Sequence, residues 1–145
     1  MYGDTVAMRR RAGQLREQGA DIRAAAERLV SRSEAVPWRG RAADAMRERV
    51  KERATHLRAA ANAHDTAADS LERHLAEVDR LKEAVAEAER RIGGQVAEAQ
   101  HRVEATAYDD TTRASAAGEH DHALAGVALP PSGHADWLTL ELPGS

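Results

Sequence analysis

Large apolar residues recur at every seventh position in the first third of the chain, and a small residue follows each of them four positions later. The large positions are Met8, Leu15, Ile22 and Leu29, and the small positions are Ala12, Gly19, Ala26 and Ser33. This spacing is typical of a helix that packs along a coiled-coil seam, and the small residues let a partner helix approach closely. The pattern predicts a first helix from Asp4 or Thr5 to about Ala35, because Pro37 prevents its continuation.

A second and longer run of helix-forming residues begins just after Gly40 and contains no Gly or Pro before Gly93. Its main line also has a spacing of seven, at Val50, Leu57, His64, Leu71, Val78, Val85 and Ile92. We expect a second line to be interleaved with it, at Met46, Arg53, Ala60, Ala67, His74, Leu81 and Ala88. The sequence therefore predicts an all-α antiparallel helical hairpin over residues 1–92. The shorter first helix can cover the second only from about Ala42 to about Leu71.

The apolar stripe beyond Leu71 needs a further partner. At Gly93 and Gly94 the register shifts, because the next apolar residues no longer continue the spacing of seven. If the two glycines form a turn, a third helix from about Gln95 to about Ala116 folds back onto the stripe. If they form a hinge, the stripe is open to a second protein. We expect the third helix, within a helical extension over residues 93–117. The stripe comprises Leu75, Val78, Leu81 and Val85.

The composition changes from Gly118 onward, where Lys and Arg are absent and four acids remain. We expect residues 118–145 to form a flexible tail. Its end is apolar, because Trp137, Leu138 and Leu140 stand close together in the sequence. Such a cluster either docks on a partner, by strand addition or insertion into a groove, or packs back onto the hairpin of the same chain.

Composition and charge narrow the class of protein. The chain has 145 residues, of which 42% are apolar, but it contains no Phe and much of the apolar fraction is alanine. This favours elongated helices over a compact core. Without Cys, it has no disulfide framework and no thiolate chemistry. A formal net charge of −3 argues against general nucleic-acid binding. No apolar run is long enough to span a bilayer, and the first residues lack the apolar stretch of a cleavable secretory signal, so we expect any export to use another signal.

Candidate catalytic and metal-binding residues are few. His64 lies beside Asp65 on the seam, where a histidine most often sets the packing register. His120 and His122 flank an acid in the tail, but two ligands on a flexible segment do not make a metal site. Phosphate-binding loops and nucleophile motifs are absent from the sequence. We expect no enzymatic activity, no cofactor and no bound metal.

The break between the two helices carries a tripeptide, Trp38-Arg39-Gly40, and the second helix opens with Ala42-Ala43-x-Ala45-Met46. This arrangement resembles the WXG-type, ESAT-6-like proteins of the type VII secretion system, over roughly the first two thirds of the chain. The resemblance implies a small secreted or secretion-associated helical hairpin that pairs antiparallel with itself or with a related protein in a four-helix bundle, without cofactor or catalytic residues. It makes Trp38 and Gly40 the turn motif. We assign hairpin and partner packing to Leu15, Ile22, Leu29, Val50, Leu57, Leu71, Val78 and Leu81.

Two departures from the family pattern leave other functions open. The family's Tyr-x-x-x-Asp/Glu export signal has one candidate, Tyr108, but Thr112 stands where the acid belongs. Either a partner supplies the signal, or the chain stays in the cytoplasm as an adaptor or chaperone-like module that holds an effector. The chain is also longer than the family's hairpins. A further alternative is a general coiled-coil scaffold in which the tripeptide is accidental. Replacing Trp38 by Ala would then change neither hairpin stability nor partner binding.

Overall fold

The computed structural model describes residues 2–107 and 116–144. Helix α1 spans Tyr2–Ala35, α2 spans Arg41–Ala107, α3 spans Ala116–Ala125, and a short 3-10 helix spans Ala135–Leu138. No strand occurs among the described residues, so the predictions of an all-helical chain and a long second helix are confirmed. The chain divides into two compact units, Met1–Glu77 and Val78–Ser145, and α2 contributes to both. The boundary therefore falls earlier than the predicted end of the hairpin at residue 92.

The break between α1 and α2 follows from two residues. Pro37 disfavours the helical conformation for the residue before it, and α1 ends at Ala35. Gly40 has a φ of 111°, a left-handed conformation that L side chains rarely adopt, and its carbonyl accepts the N–H of Asp44 at 3.0 Å. This is the first hydrogen bond of α2, so Gly40 both turns the chain and begins the second helix.

Helix α2 continues through Gly93 and Gly94, so the predicted turn or hinge is wrong, and so is a third helix beginning at Gln95. Two helical glycines cost about 1 kcal/mol each relative to alanine. Packing offsets this cost, because Ile92 and Val96 flank the pair and both belong to one buried cluster. Helical spacing of four residues places these two side chains on the same face. Tertiary contacts on both sides of the glycines thus keep the segment helical.

Within the first unit, α1 pairs with the N-terminal part of α2. Arg16 contacts Asp69, Arg23 contacts Asp65, and Glu27 contacts Arg58. As the residue number rises along α1, the number of its partner falls along α2. These contacts are consistent with an antiparallel hairpin.

In the second unit, the segment after α3 packs on α2, so the prediction of a flexible tail is wrong. Trp137 is only 4% exposed. It forms a buried cluster with four side chains of α2, which are Val85, Ala88, Ile92 and Val96. Two interpretations of the apolar end of the tail were open, docking on a partner or packing on the same chain. In the structure the end of the tail packs on α2 of its own chain. The tail, and not the expected third helix, covers Val85 at the end of the stripe and the apolar residues that follow it on α2, because the tail carries the indole that fills the space beside small and β-branched residues.

Candidate protein-binding face

The turn presents Trp38 on a fixed loop. The Arg47 guanidinium donates from Nη2 to the carbonyl oxygens of Val36 (3.1 Å) and Trp38 (2.7 Å), and from Nη1 to Asp44 Oδ1 (3.3 Å). Arg47 therefore donates hydrogen bonds to two carbonyl oxygens of the loop, which lies outside both helices. The Trp38 side chain is 51% exposed, so the turn does not bury its ring. The two predicted turn residues, Trp38 and Gly40, therefore lie together on a loop that Arg47 holds from α2.

Small residues line the contact between α1 and α2. On α1 the buried positions are Thr5, Ala12, Gly19, Ala26 and Ser33, as the sequence pattern predicted for the last four. On α2 the buried line is Ala54, Ala61, Ala68 and Leu75. The interleaved line expected on α2 is wrong for most of its length, because five of its seven residues are exposed, whereas Met46 is half-buried and Ala88, in the second unit, is buried. The exposed residues are Arg53, Ala60, Ala67, His74 and Leu81. Both helices thus place a small residue four positions after the residues of the large line, except that Leu75 follows Leu71 on α2.

The closest approach of the two helices is at Gly19. A Cβ at this position would lie 3.0 Å from Asp65 Oδ1, 3.1 Å from the Ala61 carbonyl oxygen and 3.4 Å from His64 Cβ. The first two distances are shorter than ordinary van der Waals contact. The glycine therefore allows a separation that alanine would hinder.

Ion pairs close one side of this contact, which we call the ion-paired edge. Arg16 donates to Asp69 at 2.6 Å and, through two nitrogens, to Glu72 at 2.6 and 3.0 Å. Arg23 donates to Asp65 at 2.8 Å. The hydrogen bonds from Arg16 hold the pKa of the Glu72 carboxyl below its usual range and raise the pKa of the guanidinium. These α2 carboxylates follow the buried line by one or four positions.

The large apolar residues lie on the opposite side of the contact, which we call the apolar edge. They follow the buried line by three positions, about 60° around each helix in the direction away from the ion pairs. Leu29 is 36% exposed, and the other large residues are half-buried. The apolar edge consists of Met8, Leu15, Ile22 and Leu29 on α1 and Val50, Leu57, His64 and Leu71 on α2.

Six of the predicted packing residues, namely Leu15, Ile22, Leu29, Val50, Leu57 and Leu71, are brought together on this edge. The remaining two, Val78 and Leu81, belong to the second unit. Val78 is half-buried there, and Leu81 is 49% exposed. His64 donates from Nδ1 to the Ala60 carbonyl oxygen at 2.9 Å, which ties its ring to α2. The arrangement is therefore one face with large, incompletely buried side chains.

No family model, curated protein or solved structure matches this chain. The geometry of the two units is accordingly the basis for any functional argument.

The second unit holds the predicted tail-docking residues. Trp137 donates from Nε1 to the Pro131 carbonyl oxygen at 2.9 Å, so its polar atom is satisfied inside the fold. Leu140 packs against the same cluster, whereas Leu138 is 46% exposed. Glu89 on α2 accepts the backbone N–H of Gly133 at 3.0 Å, and the hydroxyl of Ser132 also bonds to it. These hydrogen bonds lower the pKa of Glu89.

A second contact ties α3 to α2. Arg102 donates through two nitrogens to Asp121, at 2.9 and 3.0 Å, and this pairing lowers the pKa of Asp121. Asp121 is the acid between the two tail histidines, so it is engaged in an ion pair.

Among the described residues, no group of three or more metal-ligating side chains comes together. In the same part of the chain, no helix combines the length and the apolar character needed to cross a bilayer. Tyr108 and Thr112, the departure from the export signal, lie outside the described residues.

Sequence reasoning missed the buried alanine line of α2 and the residues that fix the contacts around it. The signal for the alanines was present, because the offset of four positions that identified Ala12 and Gly19 on α1 also identifies Ala54, Ala61 and Ala68 on α2. Arg16, Arg47 and Glu89 carried no such signal, since charged residues with this spacing are common on solvated helical faces.

Proposed function

We propose that this chain is a WXG-type helical-hairpin protein associated with type VII secretion, which acts by protein–protein association as a secreted substrate or as a dimer partner. The observation that carries the proposal is the apolar edge. It runs along both helices of the first unit, on the side that the ion pairs leave open. A second helical hairpin laid on this edge would complete a four-helix bundle.

The energetics support a partner. In the first unit every buried apolar side chain except Leu75 is an alanine, which contributes little hydrophobic free energy. Completing the burial of one half-exposed Leu, Ile or Val contributes about 1 kcal/mol. Over the apolar edge this sums to several kcal/mol, a large fraction of the total stability of an ordinary domain, which is roughly 5–15 kcal/mol.

The turn supports the family assignment in the proposal. Gly40 occupies a backbone conformation that suits glycine, and Arg47 holds the loop so that Trp38 stays half exposed. A half-exposed Trp contributes little to the hairpin itself, so its expected role is in association. If the family assignment is right, Trp38→Ala should therefore weaken partner binding and leave hairpin stability nearly unchanged. If the tripeptide is accidental, neither property should change.

Release of the native protein into culture medium tests the secretion part of the proposal. Host cells with and without a working type VII secretion ATPase are compared beside a cytosolic lysis control, and we expect ATPase-dependent release. The double variant Leu15→Gln/Leu57→Gln, which weakens the apolar edge, should lose release. Ser31→Gln, an exposed change on α1, should retain it. Retention of the native protein in both strains would overturn secretion.

A cytosolic adaptor that holds an effector is the second candidate, and one observation in the second unit favours it. A shallow cleft lies between α2 and the tail, lined by Ala84, Ala88, Ile92, Trp137 and Leu138 among others. Exposed Leu138 at its rim offers an apolar contact to an effector. The adaptor function predicts retention in both strains and loss of effector capture in Leu138→Asp.

A further inference from the structure

The apolar edge has an outer flank on each helix, three residues beyond each of its members. Three residues correspond to about a further 60° around the helix, so these side chains border any protein that packs on the edge. In two-helix and four-helix coiled coils, charged residues at such bordering positions select the partner. The flanks are Arg11, Gln18, Ala25 and Arg32 on α1 and Arg53, Ala60, Ala67 and His74 on α2.

The charges on these flanks have one sign. Arg11, Arg32 and Arg53 are exposed, and the structure gives none of them an ion pair within the described residues. Outside these eight positions, the line of the α1 flank carries one carboxylate, Asp4, seven residues before Arg11. The carboxylates of the first unit that bind arginines of the other helix, such as Asp65 and Glu72, belong to the ion-paired edge on the other side. We call Arg11, Arg32 and Arg53 the basic rim.

A second copy of the chain would bring a basic rim against a basic rim, because a symmetric dimer uses the same surface on both subunits. Like charges that meet across an interface oppose association and thereby exclude wrong partners. The small residues on the same flanks, Ala25, Ala60 and Ala67, permit close approach and offer no counter-charge.

We infer that the partner for the apolar edge is a different helical hairpin, whose own apolar face is bordered by Asp or Glu. This inference rests on the proposed pairing of hairpins and specifies the chemistry of the partner. The carboxylates of that partner would form charge-assisted hydrogen bonds with the three guanidinium groups, which the chain itself leaves without an acid.

A variant of the same chain supplies an acid-bordered probe. The triple variant Arg11→Glu/Arg32→Glu/Arg53→Glu keeps the apolar edge and reverses its rim. Sedimentation equilibrium of the full-length parent, of the variant and of their equimolar mixture measures association. Circular dichroism confirms that helix content is unchanged. We expect the mixed complex to be at least about tenfold tighter than either self-association, a difference of about 1.4 kcal/mol. Added salt should weaken it.

A matched control reverses three exposed arginines on the side of the helices away from the apolar edge, in Arg10→Glu/Arg41→Glu/Arg73→Glu. It has the same net charge as the rim variant and should not associate with the parent. All three proteins are net acidic, so attraction in the mixture must arise from the local surface.

The outcomes separate this inference from the proposed function. If the parent self-associates as tightly as the mixture, the edge is an association surface and the acid-bordered partner is wrong. If neither the parent nor the mixture associates, pairing through the apolar edge is itself overturned. Equal association of the control variant with the parent would also overturn the role of the rim.

Discussion

Gly19→Ala tests the close approach of α1 and α2 most directly. A methyl group at Gly19 would lie 3.1 Å from the carbonyl oxygen of Ala61, which is backbone and cannot rotate away. It would also lie 3.0 Å from Asp65 Oδ1, whose other oxygen is engaged by Arg23. The helices must therefore separate by a few tenths of an ångström. Overpacking of this kind typically costs about 1–3 kcal/mol.

Gly13→Ala is the matched control on the same helix. Gly13 is exposed, and a Cβ there would meet nothing within 4 Å. Both substitutions gain about 1 kcal/mol of helix propensity, because alanine replaces a helical glycine. We expect Gly13→Ala to be more stable than the parent by about this amount. Gly19→Ala should lose the gain, so that the two variants differ by roughly 1–3 kcal/mol in free energy of unfolding.

Urea unfolding followed by far-UV circular dichroism measures the free energy of unfolding of both variants and the parent. The slope of this free energy against urea concentration is compared as well, because equal slopes place the three values on one scale. If Gly19→Ala matches Gly13→Ala in stability, the helices are not in close contact at this position. The small-residue seam would then lose its explanation.

Three further predictions concern other parts of the chain. Gly94→Ala, at an exposed position inside α2 with nothing within 4 Å of the new Cβ, should stabilise the protein by about 1 kcal/mol in urea unfolding; destabilisation would indicate a non-helical conformation there. Trp137→Ala should cost about 3–5 kcal/mol and release the tail to protease, whereas Trp38→Ala, at a half-exposed indole, should leave the tail resistant. The pKa of Glu72 is lowered in the folded state, so its contribution to stability is present above the ordinary glutamate pKa of about 4.3 and is lost as the pH falls through the lowered value. Glu72→Gln should therefore reduce the fall in the free energy of unfolding as the pH is lowered below about 5. An unchanged dependence on pH would contradict the ion pair with Arg16.

The sequence predicted the helical class and the break between α1 and α2, because these depend on local chemistry. Pro37 and Gly40 act on their own backbone, so the end of α1 and the beginning of α2 could be placed from the residues alone. The spacing of seven also identified the large residues of the apolar edge. The side on which α2 meets α1 was harder to predict, since both the alanine line and the line at Met46 satisfy a heptad.

The second unit was predicted less well because its contacts are distant in sequence. Gly93 and Gly94 predicted a break on local propensity, but Ile92 and Val96 are held by Trp137, more than forty residues later. Local patterns carry no information about such a contact. The composition of the tail is that of a flexible segment, yet one buried indole, with its N–H bound to Pro131, is enough to hold the tail on the helix.

Both units contain few bulky side chains, and they differ in how their apolar surface is covered. In the second unit the chain supplies its own cover, because Trp137 packs on the apolar residues of α2 from Val85 to Val96. In the first unit no comparable segment is present among the described residues, and the seam buries mainly alanine. The large side chains there are instead collected on one edge, while the ion pairs occupy the other. A seam without this separation would place charges beside every large residue and oppose a second hairpin. The separation leaves an apolar surface bordered by arginines, so the residues that would recognise a partner are distinct from those that hold α1 against α2.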